Sequence, residues 1–419
     1  MTAINELVYR QTKIIATLGP ATSSRDKIEG LIDAGVDLVR LNFSHGDKES
    51  HIVRAKLVRE IAKKKNYHVG IVGDLQGPKI RITRFTESKV NLESGATFTI
   101  DDQHPFDQGT EKIVGTTYEN LAKELAVGDI LLLDDGRLEL EVTNLSGSKI
   151  ISKVIHGGLL YDSKGLNRKG GGLSASAISE KDINDIKLAA EIGVDYLAVS
   201  FAREASDVNL ARKLLREAGN DGGIIAKIER AEALDNIDEI IDASDAIMIA
   251  RGDLGVEIGD AQLPAVQKNL IKKARKKDKV VITATQMMES MITNSIPTRA
   301  EVFDVANAVI DGTDAVMLSS ETAMGDHPVQ AVKAMSRICE GSEGQIPISS
   351  KESNYSTESK KVDRAIAMAC MLTAANLNAV AIAAVTESGS TALWMSRINH
   401  SIPIFALTTH TATLRKITL

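Results

Sequence analysis

Four stretches set the rhythm of this chain. They are GVDLVRLNFSHG (35–46), GVDYLAVSFARE (193–204), ASDAIMIARGDLG (243–255) and GTDAVMLSSETA (312–323). Each has a turn carrying Asp, a short apolar run, and then a polar cluster. Weaker copies are KIIATLGP (13–20), HVGIVGDLQ (68–76), GIIAKIER (223–230) and VVITATQM (280–287). Each apolar run has the length of a strand and is too apolar to face water on one side, which indicates a parallel sheet covered on both faces. Helix-period stretches fill the gaps, such as SSRDKIEGLIDA (23–34), with Ser24 as its cap, and KDINDIKLAAEI (181–192). Eight such units predict a closed (β/α)8 TIM barrel.

The rhythm breaks between the third and fourth runs. There KVNLESGATFTI, DILLLDDGRLELEVTNL and KIISKVIHGG alternate apolar and polar residues between Gly and Asp turns. This texture predicts an inserted β-barrel lid domain over the barrel mouth. After the polar linker 338–359, a helix near 360–376, the run AVAIAAV, the turn TESGST and the run PIFALT predict a small C-terminal α/β domain. The expected division is 1–81 with 179–345 for the barrel, 82–178 for the lid, and 346–419 for a C-terminal domain that reads as truncated.

A length of 419 residues accommodates two or three domains, and a net charge of −6 gives no field for nucleic acid. The basic run KKARKKDK (272–279) reads as the solvated end of a helix. Cys339 and Cys370 match no metal or redox spacing. No apolar run is long enough to span a membrane and no signal peptide opens the chain, so a cytoplasmic protein is expected.

The strand ends carry the candidate chemistry. RLNFSH, DLQGPK, KIER, ARGD, TATQ and SSET should converge on the C-terminal rim. Lys227 and Glu229, and on the next strand Arg251 and Asp253, lie two residues apart and should point the same way. Glu229 and Asp253 then form an acid pair suited to Mg²⁺ or Mn²⁺. The same charges could instead only close the barrel as a buried ionic network. Arg40, Lys79, Arg81 and Lys227 around the pair imply an anionic ligand such as phosphate. Thr285, Ser319 and Glu321 add polar groups, and the helix opened by PTRAEVFDVANAV presents an N-terminus that can bind anions. His45 is open between a ligand and a backbone donor. His156 and His327 read as surface residues, and the methionines of TQMMESM as packing. With no His–Asp pair or cysteine nucleophile on the rim, the chemistry expected is charge stabilisation of phosphoryl transfer.

VRLNFSHG, DLQGPKIR, AKIERAE, IMIARGDLGVEI, ITATQMMESM and PTRAEVFDVANAVIDGTDAVMLSSETA together resemble the pyruvate kinase family, in order along nearly the whole chain. The resemblance implies phosphoryl transfer from phosphoenolpyruvate to ADP in a cytoplasmic homo-oligomer, a tetramer in the family. It implies that Glu229 and Asp253 hold Mg²⁺, Arg40 grips the phosphate, and Gly252, Asp253 and Thr285 bind substrate. Lys227 would stabilise charge on the phosphoryl group and on the enolate, which is protonated through water near Thr285 and Ser319. Asn42, His45, Arg81 and Lys164 would face the nucleotide. Thr386, Ser388, Ser390 and Thr391 would bind an effector phosphate.

Three departures refine this. Leu75, Gln76 and Lys79 stand where the family commonly has Thr, Lys and Glu. Asn42, Ser44 and Asp74 thus lack a potassium ligand, and Lys79 is expected to replace the monovalent cation, making K⁺ unnecessary. The lid stretch GLNRKGGGLSASAISEKD resembles bacterial enzymes activated by sugar monophosphates or AMP. The chain also ends before the family usually does, which puts regulation and assembly in question. Another Mg²⁺-enolate barrel, or an inactive metabolite-binding module, remains open on sequence alone.

Overall fold

The computed structural model of the chain describes residues 10–343, 362–398 and 402–419. The polar linker from 344 onward lies outside these. Eight parallel strands close a barrel: Lys13–Leu18, Leu38–Asn42, Gly70–Asp74, Tyr196–Val199, Gly223–Ile228, Ala246–Ala250, Val280–Ala284 and Ala315–Leu318. They are called the first to eighth barrel strands below. Each is buried along nearly its whole length, which explains why the runs are apolar without alternation. Ile15, Leu38, Val72, Ile225, Met248, Ile282 and Met317 fill the interior, and a larger cluster packs the outer faces against the helices.

The Asp of the repeat has a structural task at the N-terminal end of the barrel. Asp37, Asp195, Asp245 and Asp314 precede the second, fourth, sixth and eighth strands. Their carboxylates accept the backbone N–H of Ile14, Ile71, Ile224 and Val281 at 2.8, 2.8, 2.7 and 2.9 Å. In each case this is the second residue of the preceding strand, and its carbonyl accepts the aspartate's own N–H. Each carboxylate is also met by an arginine: Arg10, Arg59, Arg212 and Arg397. The strands are thus locked in pairs, which explains why the four clearest copies of the repeat fall on alternate strands.

The insert between Asp74 and Glu180 holds a six-stranded sheet and a two-stranded sheet. Its core, with Phe98, Ile100, Leu131, Leu140 and Ile150, is separate from that of the barrel. The C-terminal segment has the helices Val362–Asn376, Ser390–Arg397 and Thr411–Lys416 around the parallel pair Ile382–Val385 and Ile404–Leu407. It docks on the N-terminal end of the barrel by reusing two of the locks. Arg397 forks onto Asp314, and Arg415 Nε lies 2.8 Å from Asp195 Oδ1. No helix among the described residues is long and apolar enough to cross a membrane.

Candidate active site

The C-terminal ends of the barrel strands gather the polar clusters. Asp74 ends the third strand and is fully buried. It accepts Arg40 Nε at 2.5 Å and faces Lys227 Nζ at 3.4 Å. Arg40 also donates to Thr17 Oγ1. Lys227, near the end of the fifth strand, reaches Glu229 at 2.9 Å and donates to Ser200 Oγ at 2.7 Å. Burial works against the charge on Lys227, but Asp74 and Glu229 outweigh it and hold the ammonium above its ordinary value. For Glu229, burial and the nearby Asp253 carboxylate push the carboxyl up although Lys227 opposes them. Glu229 is pinned by the Phe201 N–H at 2.8 Å.

Arg251 and Asp253 depart from expectation. The sixth strand stops at Ala250 and a helix, Arg251–Ile258, begins at once. Helical rotation therefore replaces strand alternation, and the two side chains diverge. Asp253 turns toward Lys79, whose ammonium lies 2.8 Å from Oδ1. Arg251 turns beneath the end of the seventh strand.

That strand ends in a forced turn. Thr285 and Gln286 both have left-handed backbones, with φ of 65° and 52°. Such a conformation is unfavourable for a β-branched residue and marks a constrained site. The turn brings Thr285 Oγ1 to 2.8 Å from the Gly252 N–H, and the hydroxyl donates to Ala284 O. Ser319 Oγ is buried with no protein partner, and its N–H is held by Glu321. Glu321 also accepts the Met288 N–H, and burial pushes its carboxyl up. Lys79, Gly252, Asp253, Thr285 and Ser319, with Asp135 from the lid, line a cavity of about 240 Å³.

Beside the mouth, Phe43 N–H donates to Asp74 O, and the Asn42 side chain accepts the Ser44 N–H at 3.1 Å. Asn42, Ser44 and Asp74 are therefore neighbours. Lys79 stands on the acid pair at Asp253 and not on Asp74, whose cations are Arg40 and Lys227. His45 is pushed down by burial and by Arg81, Arg40 and Lys181, so several cations converge on it. Its carbonyl also meets His51 Nε2 at 2.9 Å. Arg81 donates to Ser163 O, and Lys164 pairs with Asp134 at 2.7 Å on the lid side of the junction.

The helix after PTR does not offer its N-terminus to an anion. Thr298 and Glu301 form a capping box there, and Glu301 also binds Ser290. Far from the mouth, the TESGST loop is knitted by Ser388 Oγ to Ser390 Oγ at 2.8 Å and by Gly389 N–H to Thr386 Oγ1 at 2.9 Å, with Thr391 just inside the following helix. Ser200 and Thr17 have no part in the expected set, yet they hold Lys227 and Arg40. The signal for Ser200 was its place in the polar cluster after the fourth apolar run. Thr17 lies inside an apolar run and gave none.

The family description "Pyruvate kinase, barrel domain" matches residues 9–332, and "Pyruvate kinase, alpha/beta domain" matches 364–419. The chain is 54% identical over 409 residues to pyruvate kinase II of Salmonella typhimurium, covering 97% of this chain and 85% of that one. It is 52% identical over 411 residues to a pyruvate kinase of Buchnera aphidicola subsp. Baizongia pistaciae, covering 97% and 86%. A crystal structure of a pyruvate kinase from Cryptosporidium parvum superposes with a TM-score of 0.94 at 37% identity, over 99% of this chain and 86% of that one.

Proposed function

The chain belongs to the pyruvate kinase family, and from that premise we propose how its barrel mouth transfers the phosphoryl group of phosphoenolpyruvate to ADP. The observation that carries the assignment of roles is the buried ammonium of Lys227, fixed by Asp74, Glu229 and Ser200 beside an acid pair that opens on the cavity. A lysine so compensated stays charged without any movement, as stabilisation of a developing anion requires.

The acid pair suits Mg²⁺ or Mn²⁺. Glu229 and Asp253 are hard oxygen donors whose charges oppose each other, and the ammonium groups of Lys227 and Lys79 already stand on them. When bound, the metal would neutralise charge on the carboxylate and phosphate of the substrate. Arg40, with Nε committed to Asp74 and Nη1 to Thr17 Oγ1, presents Nη2 to the phosphoryl group. The Gly252 N–H and Thr285 hydroxyl receive the substrate carboxylate, an exchange of partners for the bond they share. Lys227 steadies the phosphoryl oxygens and then the enolate oxygen. Thr285 and Ser319 hold the water that returns a proton to the enolate carbon, a role the unpaired Ser319 Oγ favours. Asn42, His45, Arg81 and Lys164 receive the nucleotide phosphates.

Although Lys79 stands on Asp253 and not on Asp74, it brings to the same mouth the positive charge that a monovalent cation would supply, so K⁺ is not required. Ser44 and Asp74 lie beside the mouth as the remaining residues of the family's cation region. These roles fall on a proposed barrel of 1–81 and 179–345, a lid of 82–178 and a C-terminal domain of 346–419. In the last, Thr386, Ser388, Ser390 and Thr391 receive the phosphate of a sugar phosphate or AMP. A cytoplasmic homotetramer is the assembly proposed. Lys227→Met tests the assignment through ADP-dependent pyruvate formation, and undiminished turnover would remove Lys227 from the site.

A further inference from the structure

We infer that Arg251 is a positioning residue, whose side chain holds Thr285 in the left-handed turn that aims its hydroxyl at the site. The inference rests on Thr285 and Gly252 forming the carboxylate end of the substrate site.

Arg251 is 6% exposed, and its guanidinium is almost wholly used. Nε and Nη2 donate to Thr285 O at 3.2 and 2.9 Å, and Nη2 also donates to Gln286 O at 3.0 Å. On its other edge, Nη1 donates to Asp304 Oδ1 at 2.7 Å and to Gln267 Oε1 at 3.4 Å. Asp304 Oδ2 lies 2.7 Å from Nη2 within the same ion pair.

Two carbonyls in sequence, on the two residues with unfavourable backbones, accept from one guanidinium. A left-handed pair at Thr285 and Gln286 is unfavourable and persists only where its surroundings impose it. Arg251 provides that imposition by collecting both carbonyls into one plane. The next residue in the chain, Gly252, gives its N–H to Thr285 Oγ1 at 2.8 Å. One dipeptide thus grips the end of the seventh strand twice, by the side chain of Arg251 and by the backbone of Gly252. The distance between the Gly252 N–H and the Thr285 hydroxyl is fixed by this double grip. Lysine in place of Arg251 carries the charge but cannot span both carbonyls and the carboxylate in a fixed plane.

The test compares Arg251→Lys, Asp304→Asn and Thr285→Ala with the parent in three measurements. These are turnover, exchange of pyruvate methyl protons with deuterium oxide followed by NMR, and Mn²⁺ binding followed by electron paramagnetic resonance. In the exchange a C–H bond of the methyl group breaks, the proton goes to solvent, and a deuteron returns to carbon. For Arg251→Lys, turnover and exchange should both fall at least about tenfold, given the sensitivity of rates to misplacement of about 1 Å. Mn²⁺ affinity should stay within about twofold, because Glu229 and Asp253 are untouched. Asp304→Asn should show the same pattern more weakly and decides the matter if Arg251→Lys does not fold. Unchanged turnover and exchange in a folded variant overturns the inference, as does loss of Mn²⁺ binding in parallel. Exchange that persists in Thr285→Ala would instead overturn the role of Thr285, leaving the grip itself undisputed.

Discussion

Replacing Lys79 by Met removes the ammonium that lies 2.8 Å from Asp253 Oδ1. Two unit charges that close interact by several kcal/mol at an effective dielectric near 20. Solvent reaches both partners, however, with the side chains 24% and 20% exposed. Water screening and the ordering of a long side chain reduce such a pair to about 1 kcal/mol. If Glu229 and Asp253 hold the divalent ion as proposed, that ion needs the same carboxylate oxygen and has to displace this ammonium or share the acid with it. Removing Lys79 should therefore tighten Mn²⁺ binding about fivefold, the equivalent of 1 kcal/mol. Titration of the nucleotide-free enzyme, with free Mn²⁺ read by electron paramagnetic resonance, measures this directly. Methionine keeps most of the side chain's apolar stem, and a thermal melt checks that the fold is intact. Equal or weaker binding by Lys79→Met would refute the competition between Lys79 and the metal.

Lys227→Met should lower kcat by about 10²–10³, the loss typical of removing a donor aimed at a developing anion; a coupled assay of pyruvate formation reads this, and a fall of less than about tenfold contradicts it. Asp314→Ala orphans the buried Arg397 and the Val281 N–H and should cost about 3–5 kcal/mol in denaturant unfolding. Burial raises the Asp314 carboxyl, but Arg397 and Arg275 outweigh it and hold the group below its usual range. Its stabilisation is therefore complete above the unfolded value of about 3.9 and is lost as pH falls through the lower folded value, so the variant's acid-unfolding profile should be flatter in that window. Glu257, buried near the end of the helix Arg251–Ile258, accepts the Ala231 N–H at 2.8 Å, and burial outweighs this bond and pushes its carboxyl up to about 7. Because the folded chain holds that proton more tightly, stability falls as pH rises from about 4.3, the unfolded value, towards 7. Glu257→Gln should accordingly gain melting temperature relative to the parent at pH 8 and lose that advantage at pH 4; a constant difference across pH contradicts the assignment.

The barrel was legible because each of its strands is buried on both faces, which leaves an uninterrupted apolar run. The aspartates of the repeat announced the strand starts, although their task as carboxylate locks on the neighbouring strand is visible only in the three-dimensional structure. Spacing failed where the backbone changed type within a motif. In ARGD the strand yields to a helix at Arg251, so two residues predicted side by side face different partners. No pattern in TATQ signals that Thr285 and Gln286 turn left-handed, since neither is glycine and the turn is imposed by Arg251 from another strand end. The partner of Lys79 was likewise beyond reach of local sequence, because Asp253 lies 174 positions further along.

The most direct measurement is the rate of ADP-dependent pyruvate formation from phosphoenolpyruvate by the 419-residue chain with Mg²⁺, with and without K⁺. Turnover that requires Mg²⁺ and ADP and is unchanged by K⁺ is the predicted result. No pyruvate formed with both substrates and Mg²⁺ present would contradict the assignment of the barrel mouth, and strong activation by K⁺ would contradict the role given to Lys79.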